Sequence, residues 1–301
     1  MIRLADLAAL AAEYADDLAH PVAPLRFGGR TLDTDVSPVV MGVVNLSRDS
    51  SYRESVVTSA DSALRRARVL VAQGADLVDL GAESSNGTSA RVDAEAQTAQ
   101  LVPLIRELAR EGVAVSIESY EAATVRAGLE AGAQVVNLTG SHQDAEMFDL
   151  AAAHDAAVVL CHVRGPHARD LTAAAASSGA ADPFPAMLDQ FARRLDDARS
   201  RGVTALAIDP GLGFGFSLDD QRARARHQTA VLAQTFRLRR LGVPVCHSLP
   251  HSFELFEDQF RTAEGFFTVW AHLGGTGVYR THEVPHVVAV LGALGELSVR
   301  A

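Results

Sequence analysis

The chain has 301 residues, 48% of them hydrophobic and 21% charged, which is ordinary for a globular protein and enough to bury a large core. A formal charge of −10 argues against nucleic acid or an anionic membrane as a partner. Two cysteines, Cys161 and Cys246, are too few for a disulfide framework, no apolar run reaches bilayer length, and the expected location is cytoplasmic.

Residues 1–20, MIRLADLAALAAEYADDLAH, read as an amphipathic helix whose Asp6, Glu13, Asp16 and Asp17 interrupt any signal-peptide core. Residues 1–37 form an N-terminal helical extension and lead-in, expected across the bottom of the following domain or on its outside. From 38 to 301 one domain follows, in which a short apolar, β-branched run recurs: 39–46, 76–80, 113–117, 134–138, 156–162, 204–208, 243–247 and 277–280. Stretches of helical period lie between most of them, such as 60–72, 94–110, 185–200 and 226–241. Glycine-bearing stop signals (QGAD, EGV, AGA, RGV, LGV, GGTGV) precede most strands. The strands lack inside–outside alternation, as parallel strands under helices do. Eight such units predict an α/β fold of the (β/α)8 TIM-barrel type rather than a doubly wound open sheet. Residues 165–184, small and polar, read as a long loop on the active face, and the arginines between 222 and 240 as a solvated helix face.

In such a barrel, chemistry sits at the C-terminal ends of the strands. Those ends carry Asn45, Asp79 with Glu83, Glu118, Asn137, His162 with Arg164, Asp209, His247 with His251, and Arg280 with His282. Asp79 and Glu83 read equally well as N-caps of the next helix. Amides and carboxylates from strands three, four and six, with cations from strand eight, suit a flat, nitrogen-rich ligand with an anionic group held nearby.

Three patterns point elsewhere and do not hold. GLGFG (211–215) lacks GxGxxG spacing and follows the sixth strand, not the first. HEVPH (282–286) matches the zinc-protease pattern, but Pro285 breaks the single helix that would put both imidazoles on one face. Cys161–His162 and Cys246–His247 cannot make a four-ligand site, because neighbours on a strand point to opposite sides.

The segments MGVVNLSRDS, DLGAESS, SIESY, VVNLTG, CHVRG, IDPGLGFG and YRTHE, in this order from residue 38 to the end, resemble the dihydropteroate synthases. That resemblance implies a TIM barrel, a homodimer, and transfer of a 6-hydroxymethyl-dihydropterin from its pyrophosphate to p-aminobenzoate with Mg²⁺ assistance. It implies that Asn137 and Asp209 read the pterin, with Glu118 in place of the family's aspartate. The glycines after Asp209 then form a pterin floor rather than a phosphate cradle. Asn45, Arg280 and His282 match the family's grip on pyrophosphate and Mg²⁺.

Several positions depart from the family pattern. The strand-one loop is SRDSSYRES, the arginine of the strand-two loop is Asn86, the strand-seven lysine is His251, and the aspartate after the strand-four asparagine is Leu138. These departures fall on the groups that hold the acceptor and bridge it to the pterin, so an altered acceptor is expected. The alternatives are a paralogue that binds a pterin or a partner protein without turnover, and a methyltetrahydrofolate-dependent methyltransferase. The latter has no use for Arg280 and His282 as a pyrophosphate grip.

Overall fold

A computed structural model of the chain describes residues 2–47, 59–84, 91–163, 165–169, 182–212 and 221–298. The loop 48–58, Asn86, Arg164, Gly213, Gly215 and residues 170–181 of the long loop lie outside the described residues.

The N-terminal segment contains α1 (Leu4–Glu13), α2 (Ala15–Leu18) and an antiparallel hairpin of β1 (Leu25–Phe27) and β2 (Arg30–Leu32). Eight parallel strands follow: β3 (Val39–Asn45), β4 (Leu77–Gly81), β5 (Val115–Glu118), β6 (Val135–Leu138), β7 (Ala157–Cys161), β8 (Leu206–Asp209), β9 (Cys246–Ser248) and β10 (Val278–Thr281). They pair in the order β8-β7-β6-β5-β4-β3-β10-β9, and a parallel bridge between Ile208 and Val245 joins the two ends. The expected eight-unit barrel is the fold observed, with every strand within about two or three residues of its expected place at each end.

The connecting helices include α3 (Ala60–Ala72), α4 (Ala94–Arg110), α5 (Ala122–Glu130), α6 (Asp144–Ala153) and α7 (Phe184–Ser200). After β8 comes α8 (Gln221–Ala233), and after β9 the short α9 (Phe253–Phe256) and α10 (Ala263–Leu273), with α11 (Val284–Glu296) closing the chain. The stop signals act through backbone shape: Gly132 turns the chain at φ 112°, where an added Cβ would come within 2.8 Å of Ala109 Cβ. The stretch 226–241, expected as one helix, is α8 plus a 3₁₀ segment at Thr235–Leu241. The tighter turn places the buried Thr235 hydroxyl 2.8 Å from His247 Nε2.

Strand periodicity divides the barrel interior into two zones. Val39, Met41, Leu77, Val135, Ala157, Val159, Ala205, Ala207 and Val278 point inward and fill the lower part, where Leu25 and Phe27 of the hairpin join them. Two residues further along each strand, the inward positions become Asp79, Asn137, Cys161, Asp209 and Arg280. Outward positions such as Val78, Leu80, Val136, Leu138, Val158, Leu160 and Ile208 pack under the helices. Leu138 is therefore an outward-facing core residue. The hairpin sits at the N-terminal ends of the strands: Ala23 donates to Gly242 O at 3.0 Å, and Arg30 pairs with Asp76 at 2.8 Å. The extension thus plugs the bottom, opposite the mouth. Among the described residues no helix is long and apolar enough to cross a membrane.

The expectation of a solvated arginine face is corrected for Arg237 and Arg239, while Arg240 keeps an exposed side chain. Arg237 is buried, its guanidinium 4.1 Å from the Tyr14 ring centroid and 4.3 Å from that of Phe184, and it pairs with Asp182 at 2.6 Å. Arg239 pairs with Asp35 at 2.7 Å and Arg240 with Asp17 at 2.6 Å. These arginines staple the N-terminal segment to the barrel wall, which the linear spacing of charges could not reveal. Arg237→Ala is expected to lose about 1–3 kcal/mol of stability in urea denaturation and to speed proteolysis within residues 2–20. Unchanged stability and unchanged cleavage would contradict the staple.

Candidate active site

At the mouth-side layer of the lumen the described polar groups converge on Asp79, which is fully buried. Ser116 Oγ donates to its Oδ1 at 2.6 Å, Asn137 Nδ2 to its Oδ2 at 3.0 Å, and Arg280 Nε to the same oxygen at 2.7 Å. Asp79 caps no helix, since Asp93 caps α4 by accepting from Ala96 N at 2.8 Å. Arg280 also reaches Glu118 Oε2 through Nη2 at 2.5 Å. Ser116 and Asp79 are register partners on β5 and β4, and Glu118 and Asn137, one inward step further along, are register partners on β5 and β6.

Asp209 ends β8 on the same face, 2% exposed, and its Oδ1 accepts from Gly211 N at 2.7 Å. Gly211 has φ 74°, the left-handed geometry that lets the chain turn back beneath the carboxylate. Cys161 and Cys246 flank Asp209 on β7 and β9 and both are buried free thiols. Cys161 Sγ lies 3.6 Å from Asn137 Oδ1, a weak donor within the polar layer.

Burial sets the electrostatics. It pushes Asp209 up to about 6, against the pull of Gly211 N–H and Arg280. It pushes Glu118 up to about 7, where Arg280 opposes the rise and Asp79 and Asp209 add to it. For Arg280, burial works against its charge, but Glu118 and Asp79 outweigh it and hold the guanidinium protonated. Two buried carboxyls, Asp79 and Asp209, and the partly exposed Glu118 thus lie around one fixed cation. Such a layer has acceptor capacity left for a ligand that brings N–H donors.

Of the expected site residues, Glu118, Asn137, Asp209 and Arg280 are brought together. Arg280 stands inside the polar layer, bound to the carboxyls, not above it. His251 and His282 form a second cluster, their ring centroids 5.2 Å apart. Between them and α10 lies Glu264, fully buried, with its Oε1 2.9 Å from His251 Nε2. Glu264 also accepts from His282 N at 3.1 Å, from Glu283 N at 3.2 Å and from the Thr281 hydroxyl. His282 departs from its expected part as a cation: burial pushes it down to about 3, so its ring is neutral. It precedes α11, with Pro285 in the first turn, so HEVPH is no helical zinc motif. Asn45 ends β3 with its Oδ1 accepting from Ser47 N at 2.9 Å. His247 points outward toward Thr235, as strand alternation requires.

Two residues of consequence were not singled out as site residues in the sequence. Asp79 could have been found, as an acid inside an apolar strand at the inward phase. Glu264 carries no local signal, because it is one acid among many on a helix and only the fold brings it to the strand-eight end. Glu83, the other acid weighed as a cap, instead accepts from Arg91 Nε at 2.7 Å, Val92 N at 3.1 Å and the Tyr120 hydroxyl. With Tyr120, Thr139 and Glu118 it lines a recess beside the polar layer.

Comparison with known proteins agrees with this geometry. The family model described as pterin binding enzyme matches residues 41–282. The dihydropteroate synthase of Mycobacterium leprae (strain TN) is 30% identical over 285 residues, covering 86% of this chain and 94% of that protein. The crystal structure of the Thermus thermophilus dihydropteroate synthase in complex with 4-aminobenzoate is similar with a TM-score of 0.74 at 27% identity, over 91% of this chain and 100% of that one. The structure of the Thermus thermophilus enzyme in complex with 6HMPPP gives a TM-score of 0.74 at 27% identity, over 92% of this chain and 99% of that one. The chain belongs to the dihydropteroate synthase family of pterin-binding transferases.

Proposed function

We propose that the protein transfers a 6-hydroxymethyl-dihydropterin from its pyrophosphate to a nucleophilic acceptor, either p-aminobenzoate or an altered one, with release of pyrophosphate. The observation that carries this reading is the lumenal layer that holds Asp209, Asn137 and Glu118 near Arg280, which is itself bound to Asp79 and Glu118. Asp209 offers paired acceptors for the ring N–H and 2-amino groups of a pterin, a geometry that neither a sugar nor a simple phosphate ester would complete. Asn137 supplies an amide able to donate and accept. Glu118 stands where the family has aspartate, and its extra methylene lets it reach Arg280.

Arg280 is the cation for the leaving pyrophosphate, with His282 as a neutral hydrogen-bonding group beside it. As the C–O bond breaks, negative charge grows on the pyrophosphate oxygen, and the positive charge of Arg280, held by Asp79 and Glu118, lowers the barrier. Asn45 is the protein group suited to Mg²⁺: its amide oxygen is a hard, neutral donor with one lone pair already given to Ser47 N. No group of three or more His, Cys, Asp or Glu side chains able to hold a metal occurs among the described residues, so substrate oxygens and water would complete the shell. Bound Mg²⁺ would neutralise charge on the departing pyrophosphate. The homodimer and the cytoplasmic location belong to the same proposal, on the family resemblance and on cysteines that are both free.

Asp209→Ala is expected to weaken pterin binding by about 1–3 kcal/mol, because the ligand's N–H groups lose their acceptors. Unchanged affinity in calorimetry would remove Asp209 from the site. Arg280→Lys keeps a cation but loses the planar fork, so affinity for the pyrophosphorylated ligand is expected to fall more than affinity for the free pterin alcohol. Equal losses would mean that Arg280 does not hold the leaving group. A pterin donating to Glu118 and Asp209 favours their ionised forms, whose unliganded values are raised to about 7 and about 6. Binding is therefore expected to release protons near pH 6 and to tighten as pH rises from about 5 to about 8. Proton uptake, or affinity that weakens over that range, would contradict the reading.

A further inference from the structure

A second buried carboxylate stands at the mouth of the barrel, and no step of the proposed transfer uses it. The Glu83 side chain is 5% exposed, too little for a solvated surface charge. Its Oε1 accepts from Arg91 Nε and Val92 N, and the Tyr120 hydroxyl donates to its Oε2. Arg169, with 4% side-chain exposure, places Nη1 3.5 Å from the same Oε1 and donates through it to Ser84 O at 2.6 Å. Glu83 and Ser84 leave β4, Arg91 and Val92 lead into α4, Tyr120 follows β5 and Arg169 follows β7. One carboxylate therefore gathers the loops after β4, β5 and β7.

Arg169 is anchored in turn by its own neighbours. His167 forms an antiparallel bridge with Gly140, which follows β6. Ala168 N donates to Thr139 O at 2.8 Å, and Ser141 N to Pro166 O at 2.8 Å. The Tyr120 ring stacks on His167 at 4.9 Å between centroids with 19° between planes, and the Arg91 guanidinium lies 5.3 Å from that ring's centroid. Gly140 permits this approach, since a Cβ there would fall 2.8 Å from Tyr120 Cβ. Burial and the hydrogen bond to Glu83 push the Tyr120 phenol up, so it stays a donor at neutral pH. A buried ion pair contributes little net stability, because both partners lose hydration, so the consequence of Arg169–Glu83 is geometric.

Glu83, Ser84, Tyr120 and Thr139 line a recess together with Glu118, so this rim adjoins the polar layer directly. A pterin read by Asp209, Asn137 and Glu118 occupies that layer, and its pyrophosphate departs on the side of β10 and β3, where Arg280, His282 and Asn45 stand. The acceptor has to come to the pterin methylene from the mouth, and the rim from β4 to β7 is the part of the mouth that borders Glu118.

Resting on the transferase reading above, we propose that Arg169 is a positioning residue for the acceptor: through Glu83 and Ser84 it holds the start of the β4 loop against the loops after β5 and β7, and so shapes the side of the mouth by which the acceptor meets the bound pterin. Arg169 and Glu83 take no part in reading the pterin. Loss of the pair therefore acts on the acceptor and spares the first substrate.

The test uses the full chain with 6-hydroxymethyl-dihydropterin pyrophosphate and Mg²⁺. Calorimetry gives the Kd of this ligand, and pyrophosphate release gives kcat and KM with 4-aminobenzoate and with 4-hydroxybenzoate, the faster of the two serving for the variants. Arg169→Met removes the cation and its donors but leaves Glu83 paired with Arg91. It is expected to raise the acceptor KM about tenfold, with kcat within about threefold and the Kd of the pterin pyrophosphate within about twofold of the unaltered chain. Arg169→Lys keeps the cation but not the fork, and is expected to fall between the two. Tyr120→Phe keeps the stacked ring, loses only the donor to Glu83, and is expected to move KM in the same direction. Should Arg169→Met fail to fold, Arg169→Lys and Tyr120→Phe carry the decision. A pair that is only structural would reduce the active fraction, so that kcat falls with KM unchanged. That result, or equal loosening of acceptor and pterin pyrophosphate, overturns the proposal while the transferase reading stands. Binding of the pterin pyrophosphate without release in the presence of either acceptor also overturns it. No binding at all would overturn the proposed function itself.

Discussion

Asp79 is the group on which the site's construction depends. A carboxyl with no exposed surface at the centre of a barrel loses its hydration, a loss of several kcal/mol that only donors in good geometry can offset. Asp79 finds three, from β5, β6 and β10, and so ties together strands that are far apart in sequence. Ser116, Asn137 and Arg280 are each oriented by it. Asn137 keeps its amide in one flip state, and Arg280 is drawn down until its fork also meets Glu118. The apolar zone beneath, closed by Leu25 and Phe27, gives that network a rigid, dry floor.

The polar layer and the His251–Glu264 cluster are joined through β10. Arg280 ends the inward phase of that strand, and Thr281, His282 and Glu283 immediately after it all donate to Glu264. Leu249 N donates to Arg280 O at 3.0 Å, which carries the loop bearing His251 against the same strand end. The strand-eight end therefore carries two differently organised groups, a guanidinium held by Asp79 and Glu118 and an imidazole 2.9 Å from the Glu264 carboxylate.

Much of the fold was legible because parallel barrel strands advertise themselves. Runs such as QVVNL and LAID are buried on both faces, and the glycine stops before them mark where each helix must end. The inward phase could be read as well: Asp209 and Asn137 close their strands, and both lie in the lumen as expected. What could not be read depends on contacts between segments remote in sequence. Arg237 and Arg239 looked like part of a solvated charge cluster until Tyr14 and Asp35 were seen against them. His282 read as a cation because residue type carries no burial. Glu264 was invisible, since a helix acid becomes a site residue only when the next strand ends beside it. Asp79 read as a possible cap, because a strand-end acid serves either role and only the register across β4 and β5 decides.

The central claim is that this lumen holds a pterin pyrophosphate and expels its pyrophosphate. Calorimetric titration of the full chain with 6-hydroxymethyl-dihydropterin pyrophosphate, with and without Mg²⁺, addresses it most directly. The account predicts saturable binding with one ligand per chain, tightened by Mg²⁺, with little affinity for pyrophosphate alone by comparison. No heat of binding under either condition, or binding that pyrophosphate alone reproduces, would contradict it.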